Sequence, residues 1–134
     1  MKMKFASVLK WLSLWAIIFP TIALAQFDES MVKDTLNRYF DALRSGDTQE
    51  ISALMSPKLR RQHSASLSNS QYGETLVTIY QEATFVIDQI EFDNPNQPRA
   101  WILFSIADGQ PQRLRIDLTS LNDGESYSIS RIDQ

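Results

Sequence analysis

The chain of 134 residues contains no cysteine and a single histidine, His63. Without cysteine there is no disulfide framework, so a domain outside the reducing cytosol must rest on its apolar core alone. One imidazole and no thiolate leave too few ligands for a zinc site. No stretch has the Asp/Asn spacing of a calcium loop, so neither a metal nor a cofactor is expected. Positive charge is also short, with 13 Lys+Arg against 16 Asp+Glu and a net charge of −3. That balance opposes nucleic-acid partners and anionic membranes, which call for a basic footprint. The short cluster Lys58, Arg60, Arg61 is the one exception and reads as a solvated helix face.

A membrane-spanning run is missing too. Trp11 to Leu24 is apolar or small throughout, but at about 14 residues it falls short of the roughly 20 that cross a hydrocarbon core. Lys2, Lys4 and Lys10 precede or open that run, and Ala23-Leu24-Ala25 follows it as an A-x-A site before Gln26. Positive start, apolar middle and small-residue cut are the order of a secretory signal peptide. Pro20 ends the apolar helix six residues ahead of the cut. Cleavage after Ala25 is expected, giving a periplasmic or secreted protein with no stable membrane anchor. Cutting 25 residues from 134 leaves 109, enough for one domain over 26–134. Losing those three lysines leaves 10 basic residues against 16 acidic, a net charge of −6.

The remaining pattern is helical up to about residue 82 and strand-like after it. Val32, Leu36, Tyr39, Phe40 and Leu43 recur at helical spacing, with Asp28 or Ser30 as N-cap and Gly46 placed to end the helix. Asp47-Thr48-Gln49-Glu50 is a capping-box variant ahead of Ile51, Leu54 and Met55. Ser56-Pro57 restarts the chain as N-cap plus N1 proline. Ser64 to Gly73 reads as a polar loop. Glu74 to Glu82 is preferred as helix, although Thr75, Val77, Thr78 and Ile79 also suit a strand.

Four strands follow, over Thr84–Phe92, Arg99–Ala107, Arg113–Thr119 and Glu125–Ile132, with turns at Asp93–Pro98, Asp108-Gly109 and Asn122-Asp123-Gly124. Short connections predict an antiparallel meander, and helices segregated ahead of it make the class α+β. In the second strand Ile102, Phe104 and Ile106 share one face, Trp101, Leu103 and Ala107 the other. A sheet covered on one side leaves one of these rows without cover. Strong curling, burial of this strand on both faces, or a partner subunit on the sheet would each satisfy it, the last as a homodimer.

Val32-x3-Leu36-x2-Tyr39-Phe40-x-Ala42-Leu43, then Gly46-Asp47 and a short helix, resembles the start of the NTF2-like (nuclear transport factor 2-like) superfamily, which includes SnoaL-like and ketosteroid-isomerase-like proteins. Ala100-Trp101-Ile102-Leu103 and Asp123-Gly124-Glu125-Ser126-Tyr127-Ser128-Ile129 resemble its tail, Tyr127 standing where many members have tryptophan. The resemblance implies helices packed in the concavity of a curved, cone-like sheet, a pocket between them, and dimers through the sheet. The usual early hairpin between the helices is not evident. Isomerases, dehydratases and non-catalytic binding or assembly domains all share this fold, so it does not by itself assign a function.

His63 follows Arg60-Arg61 in a polar stretch and reads as a surface residue. Asp88 is the candidate catalytic carboxylate. If Val86, Ile90 and Phe92 form the concave face, Asp88 shares it and enters an apolar pocket as a base; in the other register it is exposed or paired with an arginine such as Arg99. Tyr39, Tyr80 and Trp101 are candidate pocket-lining residues, with core packing as the alternative. The leading expectation is a non-catalytic binding or accessory domain for a small apolar ligand or a protein partner. A proton-transferring isomerase or dehydratase using Asp88, and an assembly protein using the sheet face, compete with it.

Overall fold

The computed structural model describes residues 29–121 and 126–134. The expected signal segment and its cleavage site, the Asp28 cap and the Asn122-Asp123-Gly124 turn all lie outside the described residues. Met31–Gln134 forms one compact unit; Met1–Ser30 is a separate unit, of which only the last two residues are described.

Helix α1 covers residues 29–45, so Ser30 lies inside it and does not cap it. Val32, Leu36, Phe40 and Leu43 recur every three or four residues and are buried along one face. Its end follows from Gly46, whose φ of 70° is left-handed and whose missing Cβ makes that conformation inexpensive. The Asp47 N–H then returns to the Ala42 carbonyl at 3.0 Å, closing the last turn. Helix α2 (Thr48–Leu54) is capped by the Asp47 carboxylate, which accepts from the Glu50 N–H at 3.1 Å. Glu50 does not reach back to complete the box; Arg38 of α1 engages its carboxylate instead.

Helix α3 (Pro57–Gln62) starts where Ser56 Oγ accepts from the Leu59 N–H at 3.3 Å. The Ser56 N–H donates to the Ile129 carbonyl at 2.7 Å, stitching this junction to the last strand. The stretch expected as a loop over Ser64–Gly73 instead holds helix α4 (Ser64–Leu67) and the start of α5 (Tyr72–Tyr80). The reason is local: Leu67 anchors against the core while the serines bond their own turn, as Ser68 Oγ–H does to the Ala65 carbonyl. In α5 the β-branched threonines are accommodated by bonds one turn back, Thr75 to Gln71 and Thr78 to Glu74.

The strands are β1 (Ala83–Glu91), β2 (Arg99–Ile106), β3 (Gln112–Leu121) and β4 (Ser126–Asp133), paired antiparallel in sequence order and not closed into a barrel. The class is therefore α+β with a four-stranded meander. Ala100, Ile102, Phe104, Leu114, Ile116 and Leu118 fill the buried face beneath α1. Phe40 stacks on Phe85 with ring centroids 4.4 Å apart and planes nearly parallel, and Phe104 continues the column at 6.0 Å. Such stacking adds about 0.5–1.5 kcal/mol beyond the area buried. Arg44 locks the end of α1 to β1 by donating to the Ala83 carbonyl at 3.0 Å, with its guanidinium over the Phe85 ring.

Two β-bulges decide which side chains face the helices. In β1, Ile87 pairs with Ile102 but Gln89 pairs with Trp101, so Asp88 is the extra residue. Ala83, Phe85 and Ile87 point inward before it, Ile90 and Phe92 after it. In β4, Asp117 pairs with Arg131 and Leu118 with Ile129, so Ser130 is the extra residue. The opposite sheet face is a lattice of charge: Arg115 bonds Asp133 at 2.7 Å, and Arg99 and Arg115 each sit 3.4 Å from Asp117. Trp101 and Leu103 lie on that face, as the strand pattern indicates, with Arg113 stacked 4.3 Å over the Trp101 ring. Val86 and Leu103, directly across from one another, are 52% and 37% exposed.

Candidate functional site

Three tyrosines converge on the helix side of the sheet. Tyr39 projects from α1 with its ring 6.1 Å from Phe40, while Tyr72 and Tyr80 open and close α5. Tyr80 reaches β1, its ring 6.2 Å from Phe85. Burial pushes the Tyr39 hydroxyl far above its ordinary value of 10.0, and the nearby Tyr72 and Tyr80 hydroxyls add to the rise. Tyr72 is raised for the same reasons, burial first and Tyr80 second. Both are therefore neutral hydroxyls across the physiological range, fit to donate and accept hydrogen bonds and unfit to act as acids.

Tyr80 also opens onto a cavity of about 260 Å³ at the end of the sheet. Phe104 and Ile106 supply its apolar wall; Ser105, Gln110, Gln112 and Gln134 supply neutral polar groups. Among the described residues no Asp, Glu, His, Lys or Arg side chain lines it. Its rim is the β2–β3 turn, where the Gly109 N–H bonds the Ile106 carbonyl at 2.9 Å and Ala107 takes a φ of 52°. A cavity this small suits a ligand below drug size, with an apolar body and an uncharged hydrogen-bonding end.

The structure brings Tyr39 and Tyr80 together and separates Trp101 from both. Trp101 lies on the far face, donating its indole N–H to Glu91 Oε1 at 3.0 Å. Tyr72, the third member of the cluster, was hidden by reading residues 64–73 as loop. Its spacing from Leu76 and Tyr80, at i+4 and i+8, is the signal that could have found it.

Asp88 corrects the register that would have placed it in an apolar pocket. As the bulge residue it falls outside the core, 47% exposed, with Arg113 Nη2 at 3.9 Å. The inward face takes Phe85 and Ile87 before the bulge and Ile90 and Phe92 after it, so neither single register holds. His63 sits at the junction of α3 and α4 with its N–H on the Leu59 carbonyl, remote in sequence from the cavity lining and absent from it. Among the described residues no group of His, Asp and Glu is arranged to hold a metal, and no helix is long and apolar enough to cross a membrane.

Fold and site together define an α+β meander domain with an aromatic-walled cavity that no charged side chain of the described residues lines. No protein-family model matches the chain, and a search of curated proteins finds no match.

Proposed function

We propose that this chain is a non-catalytic, NTF2-like binding domain, exported to the periplasm or beyond, that holds a small neutral ligand with an apolar body. The observation that carries the reading is the absence, among the described residues, of any charged side chain from the lining of the cavity at Tyr80, Phe104, Ile106 and Gln112, beside the buried Tyr39 and the half-buried Tyr72. An enzyme moving a proton in such a cavity needs a base within hydrogen-bond reach of the ligand. Asp88, the residue expected in that role, stands exposed against Arg113. Hydroxyls and amides orient a ligand without transforming it.

Titration with benzyl alcohol, an aromatic ring bearing one hydroxyl, tests this by NMR. Saturable shifts confined to Tyr80, Ser105, Ile106 and Gln112, weakened by Phe104→Ala in a folded variant, support it. Shifts scattered over the surface, or turnover abolished by Asp88→Asn, would sink it. A homodimer through the outer sheet face belongs to the same proposal, its apolar contribution coming from Val86, Leu103 and the Trp101 edge. Sedimentation equilibrium separates the two ideas, since a monomer removes the dimer and leaves the cavity standing.

A further inference from the structure

At the opposite end of the sheet from the tyrosines, a second groove of about 380 Å³ is lined by side chains of the reverse character. Lys58 of α3, Arg99 of β2, Asp117 and Thr119 of β3, and Ser130 and Arg131 of β4 all border it. Three cations from three separate elements thus face one concavity in a chain whose overall charge is −3.

The bulge at Ser130 creates this arrangement. Ile129 is buried in the core, so strict alternation would turn Arg131 inward as well. The extra residue instead places Arg131 opposite Asp117, on the face that already carries Arg99. Ser130 Oγ–H donates to the Asp117 carbonyl at 3.1 Å and holds the bulge in place. Bulges re-aim side chains in this manner near binding sites.

The ion pairs there do not balance. Among the described residues, Arg99, Arg115 and Arg131 share two carboxylates: Asp117, 3.4 Å from both Arg99 and Arg115, and Asp133, 2.7 Å from both Arg115 and Arg131. Lys58 has no ion-pair partner among the described residues, which brings the local excess to two positive charges. Glu91, opposite Arg99 on β1, is engaged by the Trp101 indole and lies outside the groove lining.

We infer that this groove binds the phosphoryl group of a small ligand. A phosphate monoester carries about −1.5 to −2 at neutral pH and presents three acceptor oxygens, matching the excess charge and the convergence of three cations. A lone carboxylate would leave one of those charges unanswered. Thr119 and Gln97 add neutral donors at the border. The site is independent of the tyrosine-lined cavity, so either can fail without the other.

The test is an NMR titration of the protein expressed from its full sequence, with inorganic phosphate and with glycerol phosphate at constant ionic strength. Saturable shifts at the Thr119, Ser130 and Arg131 amides are expected. The double variant Lys58→Gln/Arg131→Gln, changing two exposed side chains, should weaken binding about tenfold, in line with the loss of charge-assisted bonds. Arg113→Gln, on the same face but outside the groove, should leave it unchanged. A parallel arm uses phosphatidylcholine vesicles doped with phosphatidate. Binding there that the double variant loses, with no response to the soluble ester, would make a lipid headgroup the source of the phosphoryl group; the converse would make it a soluble ester. Absence of saturable shifts and of vesicle binding, or equal binding by the double variant, would overturn the proposal.

Discussion

Gly46 and Gly73 occupy the space each would need for a side chain. A Cβ built on Gly73 would lie 2.6 Å from the Gly46 carbonyl oxygen, and one built on Gly46 would collide with the Gly73 carbonyl. This backbone contact joins the end of α1 to the first turn of α5. It thereby sets Tyr39 of one helix against Tyr72 and Tyr80 of the other.

Substituting either glycine by alanine should loosen that junction, and by different amounts. Gly73→Ala forces two backbones apart, an overpacking cost of about 1–3 kcal/mol. Gly46→Ala adds the left-handed penalty of about 1–2 kcal/mol, because its φ is 70°. Urea denaturation should therefore rank Gly46→Ala as the more damaging. The reverse order would mean that φ at position 46 carries little of the effect.

Ala107 offers the opposite case. Its φ of 52° in the β2–β3 turn is a conformation that glycine takes freely and alanine does not. Ala107→Gly should stabilise the fold by about 0.5–1 kcal/mol, since relief of the left-handed strain exceeds the added freedom of the unfolded chain. In a domain of this size that is a rise in Tm of a few degrees, about 2–8 °C, readable by calorimetry. A lower Tm would show the turn to be held by something other than strain at this residue.

Asp88→Asn should change stability by less than about 0.5 kcal/mol. The pair with Arg113 spans 3.9 Å and both side chains are about half exposed, so water screens it. A denaturant midpoint shifted beyond that range would place Asp88 in a tighter network than its geometry indicates.

Why Asp88 was hard to place from sequence is a question of parity. Val86, Ile90 and Phe92 fall on one side of a regular strand, Phe85 and Ile87 on the other, and both sets look half-apolar. The bulge resolves the tie by taking the inward residues of each, and a bulge leaves no mark in a period-two pattern. In β3, where no residue is inserted before Leu118, the strict alternation of Leu114, Ile116 and Leu118 with Arg113, Arg115 and Asp117 was readable outright. The helix starts at Asp47 and Ser56 were readable as well, because capping is chemistry local to a few residues. Tyr72 was not, since four serines nearby obscured a helix that depends on Leu67 and Leu76 meeting the core. The cationic groove was also illegible, for it needs Arg131 to change faces.

The tyrosine cluster should appear as an alkaline limit to stability. Below about pH 10 Tyr39 is protonated in both the folded and the unfolded chain, and its contribution is fully present. Above its ordinary value of 10.0 the unfolded chain loses that proton while burial keeps the folded one neutral. Unfolding is then favoured, by up to about 1.4 kcal/mol per pH unit for one group, until the folded pKa is reached. Tyr72 is raised in the same sense and steepens the decline. Urea denaturation at successive pH values above about 9 should show this loss, with tyrosinate absorbance at the buried ring rising together with unfolding. Tyr39→Phe removes one titrating group while keeping the ring against Phe40, so its alkaline slope should be shallower by about one proton. An unchanged slope would mean that the Tyr39 hydroxyl ionises as readily in the folded protein as in the unfolded chain.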